Sequence, residues 1–386
     1  MEFGTGYVGP VVGLILAQAG AEVIKIESHR NPDFMRKSLE GPRVAASFLD
    51  VNRGKKSVLI DAKQPQGHDL LLRLAEKADV VVENFGAGVM GRLGLDYESI
   101  KTVKPDVIMI SLQGLGATAF HSVTLGQNIP PLIGLTYLWN HGAASKPVGS
   151  QLFHPDYFAG VYAACLVVSA LDDRKRTGRG HYIDAAQAEI AASLLGPYYL
   201  AWSVSGEAMK PHGNRGFGGA PTGCYRCQGE DDWCIIVVDT DLDWERFKEA
   251  MDHPAWAADE KFKTILGRLR NRAELDRFVE SWTMRRPARE VMEKLQKGGV
   301  ACGVAQNAGD LVQDEQLIRQ EFIAHVNQPG MGQVSAGGSP MKFSAIDVDA
   351  AQSAPLFGEH TEMVLDDVLG LSKSEIASLR EQRVLW

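Results

Sequence analysis

Apolar and polar positions in the first third of the chain alternate between short apolar runs and longer amphipathic stretches. The runs predict short strands at Ser57 to Ile60, Asp79 to Glu83 and Val107 to Ser111. The stretches between them predict helices at Gly67 to Lys77 and Tyr97 to Lys104. Strands separated by helices are typical of an α/β fold with a parallel, doubly wound sheet, in which ligands meet the C-terminal ends of the strands.

The start of the chain carries a formal dinucleotide motif. Gly4, Gly6 and Gly9 have the GxGxxG spacing, and a helix pattern and a strand ending near Glu27 follow them. In that motif the glycines form a tight turn, the helix start binds a pyrophosphate and the acid binds a ribose hydroxyl. A full strand should come first, and only Met1 to Phe3 precede the glycines. The segment therefore predicts a βαβ start, with nicotinamide binding left as an alternative.

The composition of the chain restricts its class, its partners and its location in the cell. The chain has 386 residues, 45% of them hydrophobic and 23% charged, which is ordinary for a globular enzyme. Its formal net charge of -8 argues against a nucleic-acid partner. The absence of a run of 18 apolar residues predicts no membrane span. The odd number of cysteines, five, fits a reducing cytoplasm, which is the predicted location.

Three of the cysteines suggest a metal site. Cys224, Cys227 and Cys234 lie close together in sequence, but a structural zinc site requires four ligands, and the remaining candidates, His212 and Cys302, are distant in sequence. The surrounding pattern instead predicts two strands joined by a polar turn, with cysteine as a small buried side chain. We therefore predict no metal.

Asp156 stands at the start of a long apolar helix pattern. The positions from Tyr157 to Leu171 are apolar except for Ser169. A carboxylate buried there without a partner would have a raised pKa, which makes it a candidate for chemistry. The alternative is that Asp156 caps the helix, since aspartate is favoured at helix starts.

Several segments in order resemble the family III CoA-transferases over nearly the whole chain. They are GAEVIKIES (20–28), NRGKKSVLIDAK (52–63), ADVVVENFGAGVMGRLGLDYESI (78–100), RKRTGRGHYID (174–184) and GEHT (358–361). The resemblance implies a Rossmann-like large domain formed by both chain ends, residues 1–205 and 326–386. It also implies a smaller α+β domain, residues 206–325, and an interlocked dimer, either a homodimer or a heterodimer with a related subunit.

The resemblance assigns the catalytic role to Asp156. It implies that this carboxylate attacks an acyl-CoA thioester, forms a mixed anhydride and then an aspartyl-CoA thioester, and passes CoA to a carboxylic acid. Gly218 and Gly219 match the family's glycine-rich loop over the active site, although the loop could equally be a flexible interdomain linker. Gln113 lies at a predicted strand end, where it could face the thioester or be a turn residue.

Coenzyme A enters as a thioester substrate, and no permanently bound cofactor is implied. Its phosphates favour basic residues at the entrance. A surface lysine or arginine is otherwise a solvated charge, and this alternative stays open. The residues predicted to bind CoA are Tyr7, Val8, His29, Arg30, Lys63, Asn84 and Arg92.

Two other functions remain as alternatives. A 2-methylacyl-CoA racemase of the same fold pairs an aspartate with the histidine of a Gly-His-Asp segment, but this chain has Gly126 and Gln127 there, with His121 and His154 as substitutes. A non-catalytic subunit of a heteromeric transferase is the second alternative, and the retained Asp156 argues against it.

Within the family, the segment from Ala220 onward looks most similar to the branch that handles benzylsuccinate with succinyl-CoA as donor. Carnitine-type and oxalate-type acceptors remain open. The chain departs from the family pattern at Ala117 to Phe120, where a Gly-Pro pair is usual, and at its start, where family members usually have about one more strand's worth of residues.

Overall fold

The computed structural model describes residues 1–36, 44–117, 126–141, 152–216 and 218–386. The chain divides into two compact units. The first unit comprises Met1–Leu135, Ser150–Ala208 and Glu315–Trp386, and the second comprises Thr136–Gly149 and Met209–Asp314. The first unit is therefore built from both ends of the chain. Its boundaries differ from the predicted domain limits, because residues 136–149 group with the second unit and the residues from Glu315 onward with the first.

The described residues form ten strands. They are β1 (Ile24–Glu27), β2 (Lys56–Leu59), β3 (Val80–Glu83), β4 (Ile108–Ser111), β5 (His181–Asp184), β6 (Thr222–Arg226), β7 (Trp233–Val237), β8 (Ala301–Val304), β9 (Ile323–Gln328) and β10 (Gly332–Gly337).

The helices in the same part of the chain are α1 (Val8–Gln18), α2 (Ala46–Asn52), α3 (Pro65–Lys77), α4 (Val89–Arg92), α5 (Tyr97–Val103), α6 (Ile129–Leu132), α7 (Leu135–Leu138), α8 (His154–Thr177), α9 (Gln187–Ser193), α10 (Gly196–Ser205), α11 (Asp241–Ala250), α12 (Ile265–Arg270), α13 (Arg272–Thr283), α14 (Ala288–Lys297), α15 (Ala308–Val312), α16 (Glu315–Arg319), α17 (Thr361–Leu369) and α18 (Lys373–Glu381). Short 3₁₀ turns occur at Phe34–Arg36, Ala255–Ala258 and Glu260–Phe262.

The first unit contains a parallel sheet with the start of the chain at its centre. Strand β1 pairs with β2, and β3, β4 and β5 pair in that order, all in parallel. Glu2 bridges the two groups, because it pairs in parallel with Lys25 of β1 and with Val82 of β3. The order is therefore β2, β1, residues 1–3, β3, β4, β5. The predicted βαβ start is confirmed, since residues 1–3, α1 and β1 form one.

Strand order reverses on either side of residues 1–3. The chain passes from this central segment through α1 to β1 on one side, and later through α3 to β3 on the other. Such a reversal leaves a crevice at the C-terminal ends of the two central strands, where doubly wound proteins bind ligands. The residues after Phe3 and after Glu83 therefore border the expected binding site.

Helix α8 packs against α1 and places Asp156 near the C-terminal ends of the central strands. Pro155 is favoured in a first turn, and Gly178 ends the helix in a left-handed conformation with φ of +71°. The helix begins at His154 with Phe153 as its N-cap, and Asp156 is its third residue. No side-chain capping hydrogen bond is present, so the interpretation of Asp156 as the helix cap was wrong.

The second unit has its own core. Strands β6, β7 and β8 form an antiparallel sheet. This confirms the predicted pair of strands around the cysteines, and Cys227 and Cys234 are buried in the apolar cluster beneath the sheet. The largest aromatic side chains that are fully buried in that cluster are Trp244, Phe247 and Phe262.

Candidate active site

A cavity of about 370 Å³ opens at the crevice of the parallel sheet. Its walls come from segments that follow the C-terminal ends of the central strands, together with the start of α8. The lining residues are Thr5, Gly6, Tyr7, Phe34, Met35, Asn84, Phe85, Gly86, Ala87, Leu112, Gln113, Gly114, Leu115, Gly116, Gly126, Gln127, Phe153, Asp156 and Gln187. We call this cavity the acyl pocket.

The loop after Phe3 is held by polar contacts on both sides. Thr5 donates its backbone N–H to Asn84 Oδ1 at 2.9 Å, and Asn84 Nδ2 donates to the Thr5 carbonyl at 2.8 Å. Beneath the loop, the buried ammonium of Lys25 donates to the Gly4 carbonyl at 2.5 Å and lies 2.9 Å from Asp33 Oδ2. These contacts fix the two strand ends that border the pocket, so Asn84 has at least a positioning role.

The Asp156 carboxylate is buried in the wall of the acyl pocket. Only 6% of the residue is exposed, and Oδ2 has no hydrogen-bond partner among the described residues. Burial penalises the charged form and raises the pKa of Asp156 from its ordinary value of 3.8 to about 7. A buried carboxylate oxygen without a partner is uncommon, and perturbed groups in clefts are candidates for chemistry.

Aromatic rings surround Asp156. Tyr7 stacks on Phe153 with ring centroids 4.8 Å apart, and the Tyr157 ring lies 5.8 Å from Tyr7. The Tyr157 hydroxyl donates to Asp50 Oδ2 at 2.5 Å. Burial, followed by the negative charges of Asp50 and Asp156, raises the pKa of Tyr7. The rings thus keep the surroundings of Asp156 apolar.

Gly126 packs directly against the carboxylate of Asp156. A Cβ atom at Gly126 would overlap Asp156 Oδ2. Glycine at this position therefore allows the chain to pass beside the carboxylate, and it brings the neighbouring Gln127 to the pocket wall.

Gln113 borders the acyl pocket and contacts a buried acid behind it. The Glu83 carboxylate behind it accepts from the Phe85 backbone N–H at 2.8 Å. Burial raises the pKa of Glu83, and the nearby side chains of Ser111 and Gln113 oppose this shift.

The sequence analysis missed several residues of the pocket wall. The clearest is Gln187, which is 7% exposed, donates Nε2 to the Leu112 carbonyl at 3.3 Å, and leaves Oε1 without a partner among the described residues. Its place just after β5 was a usable signal, because the C-terminal ends of neighbouring strands meet at one edge. Phe34 and Phe153 carried no comparable signal, since an aromatic side chain is usually a core residue.

A second cavity, of about 320 Å³, adjoins the first. Both are lined by Phe85 and Gly86, and the second also contains the predicted residues Arg30 and Lys63. The wall also contains the acids Glu27 and Asp61, and Arg30 Nε donates to Asp61 Oδ2 at 2.8 Å while its side chain remains 56% exposed. We call this cavity the basic pocket after Arg30 and Lys63.

Three of the predicted CoA contacts line neither cavity. Val8 is 1% exposed and packs in the core beside Ile110, so its side chain cannot contact a ligand. His29 stacks on the ring of Trp386 at 4.8 Å. Arg92 ends helix α4, whose residue Val89 borders the basic pocket, but Arg92 itself is not part of the wall.

Gly218 and Gly219 belong to the second unit. Gly218 has a φ of +92°, and the Gly219 N–H donates to Asp239 Oδ1 at 3.3 Å. In this conformation the Gly219 amide is already engaged within its own unit. The predicted role of the loop over Asp156 stays a prediction.

The nicotinamide and zinc alternatives receive no support. Glu27, the acid expected to bind a ribose, is 3% exposed and pairs with Arg36 Nη2 at 2.6 Å. All five cysteines are free thiols, and no group of three or more potential metal ligands occurs in the described ranges.

Comparison with solved structures supports the architecture. A CaiB/BaiF family protein from Brucella suis superposes with a TM-score of 0.87 at 29% identity, covering 95% of this chain and 97% of that one. Rv3272 from Mycobacterium tuberculosis has the same fold, with a TM-score of 0.79 at 24% identity over 94% of this chain and 96% of that one. The mixed α/β fold is therefore that of CaiB/BaiF proteins.

Sequence comparison gives the family. The model of CoA-transferase family III matches residues 1–361. A formyl-CoA:oxalate CoA-transferase from Bradyrhizobium sp. (strain ORS 278) is 30% identical, over 98% of this chain and 94% of its own length. Another from Rhodopseudomonas palustris (strain CGA009) is 30% identical, over 97% and 93%. The chain belongs to CoA-transferase family III.

These relatives correct the finer assignment within the family. They carry formyl-CoA:oxalate names, so the expected placement in the benzylsuccinate-type branch is not supported. The departure at Ala117 to Phe120 falls largely outside the described residues, as does His121. None of the described helices has the length and apolar character that a membrane crossing requires.

Proposed function

We propose that this chain transfers coenzyme A from an acyl-CoA thioester to a carboxylic acid, with Asp156 as the nucleophile. The observation that carries the proposal is the buried carboxylate of Asp156, a residue that lines the acyl pocket and whose Oδ2 has no partner among the described residues. An enzyme carboxylate divides a difficult exchange between two acids into easier covalent steps.

The reaction balances without any other reagent. An ionised Asp156 oxygen attacks the thioester carbonyl carbon, the C–S bond breaks, and a mixed anhydride and the CoA thiolate result. The thiolate attacks the Asp156 carbonyl carbon, the anhydride C–O bond breaks, and the donor acid leaves as a carboxylate. The acceptor carboxylate then reverses the two steps, takes CoA as its own thioester and restores the Asp156 carboxylate.

The two adjoining cavities suggest how CoA lies. We place its phosphate-bearing end in the basic pocket near Arg30 and Lys63, because guanidinium and ammonium groups bind phosphate. The pantetheine arm would pass Phe85 and Gly86, which line both cavities, and bring the thioester to Asp156.

Each tetrahedral intermediate develops an oxyanion that requires donors. We propose the amide of Gln113, which lines the acyl pocket, as one donor. The backbone donors predicted at Gly218 and Gly219 stay a prediction, and their use would require the Gly219 N–H to leave Asp239.

The racemase alternative is not favoured by the wall of the acyl pocket. Gln127 occupies the position expected for the histidine, and a glutamine amide does not exchange protons near neutral pH. His154 is absent from the described lining.

We also propose that the chain functions as a dimer in the cytoplasm. Apolar side chains on α8 and α10 are more than half exposed in the single chain: Val161, Tyr162, Val168, Leu200, Trp202 and Val204. Six large apolar side chains exposed on two helices support an interface on this part of the chain. The mass of the protein in native mass spectrometry tests this, and a monomer at micromolar concentration would contradict it.

The test of function is to trap the covalent intermediate. The protein is incubated with a series of acyl-CoA thioesters and treated with hydroxylamine, and its peptides are analysed by mass spectrometry. We expect a hydroxamate at Asp156 and the release of about one equivalent of free acid. Asp156→Asn is the negative control. Deuterium incorporation at the α-carbon of a 2-methylacyl-CoA without any adduct would support the racemase instead.

A further inference from the structure

The wall of the acyl pocket is aromatic and aliphatic on one side. Four rings, from Tyr7, Phe34, Phe85 and Phe153, line it together with Met35, Leu112 and Leu115. Phe34 is 63% exposed, although it is a large apolar side chain. Such rings contribute binding energy when an apolar or aromatic group covers them.

The polar side chains of the wall are almost all neutral. They are Thr5, Asn84, Gln113, Gln127 and Gln187, and Asp156 is the one ionisable carboxyl group in the described wall. No lysine, arginine or histidine occurs among the described lining residues, and the cations Arg30 and Lys63 border the basic pocket instead. The neutral amides suit a thioester carbonyl and the amides of pantetheine.

A second carboxylate on the acyl group would meet two penalties in this pocket. It would lose its hydration without gaining a cation from the described part of the wall, and burial of an unpaired carboxylate is costly. It would also approach the Asp156 carboxylate, which must itself be ionised to react. Like charges in a desolvated site disfavour each other strongly.

We propose that the acid activated by this chain is a monocarboxylic acid with an aromatic or comparably bulky apolar body, rather than a dicarboxylic acid. The inference rests on the proposed function, because it concerns the acyl group attached to Asp156. It separates this chain from the formyl-CoA:oxalate relatives, whose named acceptor carries two carboxylates.

Matched thioesters test the charge and the ring separately. Butyryl-CoA and succinyl-CoA differ only in a terminal methyl or carboxylate, and propionyl-CoA and 3-phenylpropionyl-CoA differ only in the ring. The rate of free-acid release in a single turnover is measured for each, at saturating and at low concentration. We expect succinyl-CoA to react about 100-fold more slowly than butyryl-CoA. We expect 3-phenylpropionyl-CoA to react about 10-fold faster than propionyl-CoA at low concentration.

Variants at Phe34 and Leu115 complete the test. Phe34→Ala should reduce the preference for 3-phenylpropionyl-CoA over propionyl-CoA severalfold, since the exposed ring contributes little to the fold. Leu115→Arg should narrow the gap between succinyl-CoA and butyryl-CoA by supplying a cation.

The outcomes separate the two proposals. Equal or faster reaction of succinyl-CoA or oxalyl-CoA would overturn the inference and leave the function of Asp156 intact. A rate with 3-phenylpropionyl-CoA no higher than the rate with propionyl-CoA would overturn the part of the inference that concerns an aromatic body. Failure of every thioester to modify Asp156 would contradict the transferase function itself.

Discussion

Two buried carboxylates near the same edge of the sheet have opposite electrostatics. Glu27, at the end of β1, accepts from Arg36 Nη2 at 2.6 Å and from the Ser57 hydroxyl at 2.9 Å. Although burial opposes it, the hydrogen bond from Arg36 together with the charges of Lys25 and Arg36 lowers the pKa of Glu27. No comparable cation accompanies Asp156 in the part of the chain that the structure describes, and burial raises its pKa to about 7. Burial alone therefore does not identify a reactive acid, whereas burial without a partner beside a cavity does.

The largest expected difference between Asp156 and Glu27 is in their effect on catalysis. Asp156→Asn removes the nucleophile without changing the shape of the side chain, so CoA exchange should fall by at least about 1,000-fold. The exchange is measured by chromatography of CoA thioesters. Asp172→Asn, an exposed position on the same helix, is the matched control and should leave the rate unchanged. An Asp156→Asn protein as fast as the parent would eliminate Asp156 as the nucleophile.

For the stability of the fold, in contrast, the environment of Glu27 should matter more than that of Asp156. Arg36→Met leaves Glu27 buried without its cation, and the free energy of unfolding should fall by about 3 to 5 kcal/mol at pH 7. Urea denaturation followed by fluorescence measures this. The control is Arg176→Met, where the arginine is 69% exposed and a change below about 0.5 kcal/mol is expected. A small effect at Arg36 would mean that Glu27 is satisfied in another way.

The pH dependence of exchange follows from the raised pKa of Asp156. The nucleophile must be ionised, and its pKa is about 7, so the single-turnover rate should rise about tenfold per pH unit below pH 7 and level off above it. The difference between pH 5 and pH 8 is then about 100-fold. A flat profile between these values would show that the bound substrate or another group lowers the pKa.

A smaller effect is expected on stability at Asp156. In the unfolded chain this carboxyl ionises near its ordinary pKa of 3.8, whereas in the folded chain it ionises near 7. The folded state therefore loses stability as the pH rises from about 4 to 7, and the loss is complete above 7. Asp156→Asn should increase the free energy of unfolding by up to about 4 kcal/mol at pH 8, from a shift of about three pKa units, and leave it nearly unchanged at pH 4. A destabilised variant at pH 8 would contradict the unpaired state of the carboxylate.

The smallest effect concerns the basic pocket. Lys63→Ala should raise the KM for an acyl-CoA about 3- to 10-fold at low salt, with kcat preserved, because one solvent-exposed phosphate contact is lost. Steady-state kinetics at two salt concentrations measure it. Lys263→Ala, 68% exposed in the second unit, is the control. An unchanged KM would remove Lys63 from the CoA site.

Much of the first unit could be predicted from periodicity. The strands predicted at Ser57 to Ile60 and Val107 to Ser111 occur as β2 and β4 within one residue at each end, and the helix predicted at Tyr97 to Lys104 is α5. These elements alternate in a simple hydrophobic period, which local sequence determines. The helix containing Asp156 was harder, because Pro155 and His154 extend its start beyond the apolar pattern.

The site was predictable only in part. Asp156, Gln113, Asn84 and Tyr7 were predicted and all line the acyl pocket. Val8 was misplaced because its position in the motif gave no information on which side of α1 it faces, and it faces the core. Gln187 and Phe34 come from distant segments, and their approach depends on tertiary packing that no local pattern encodes.

Gly126 leaves no room for a side chain beside the reactive oxygen. Because a β-carbon there would overlap Asp156 Oδ2, Gly126→Ala would displace the carboxylate or the chain beside it and should abolish turnover. Such a protein would retain the basic pocket and its walls, and so would provide a silent reference for measuring coenzyme binding apart from turnover.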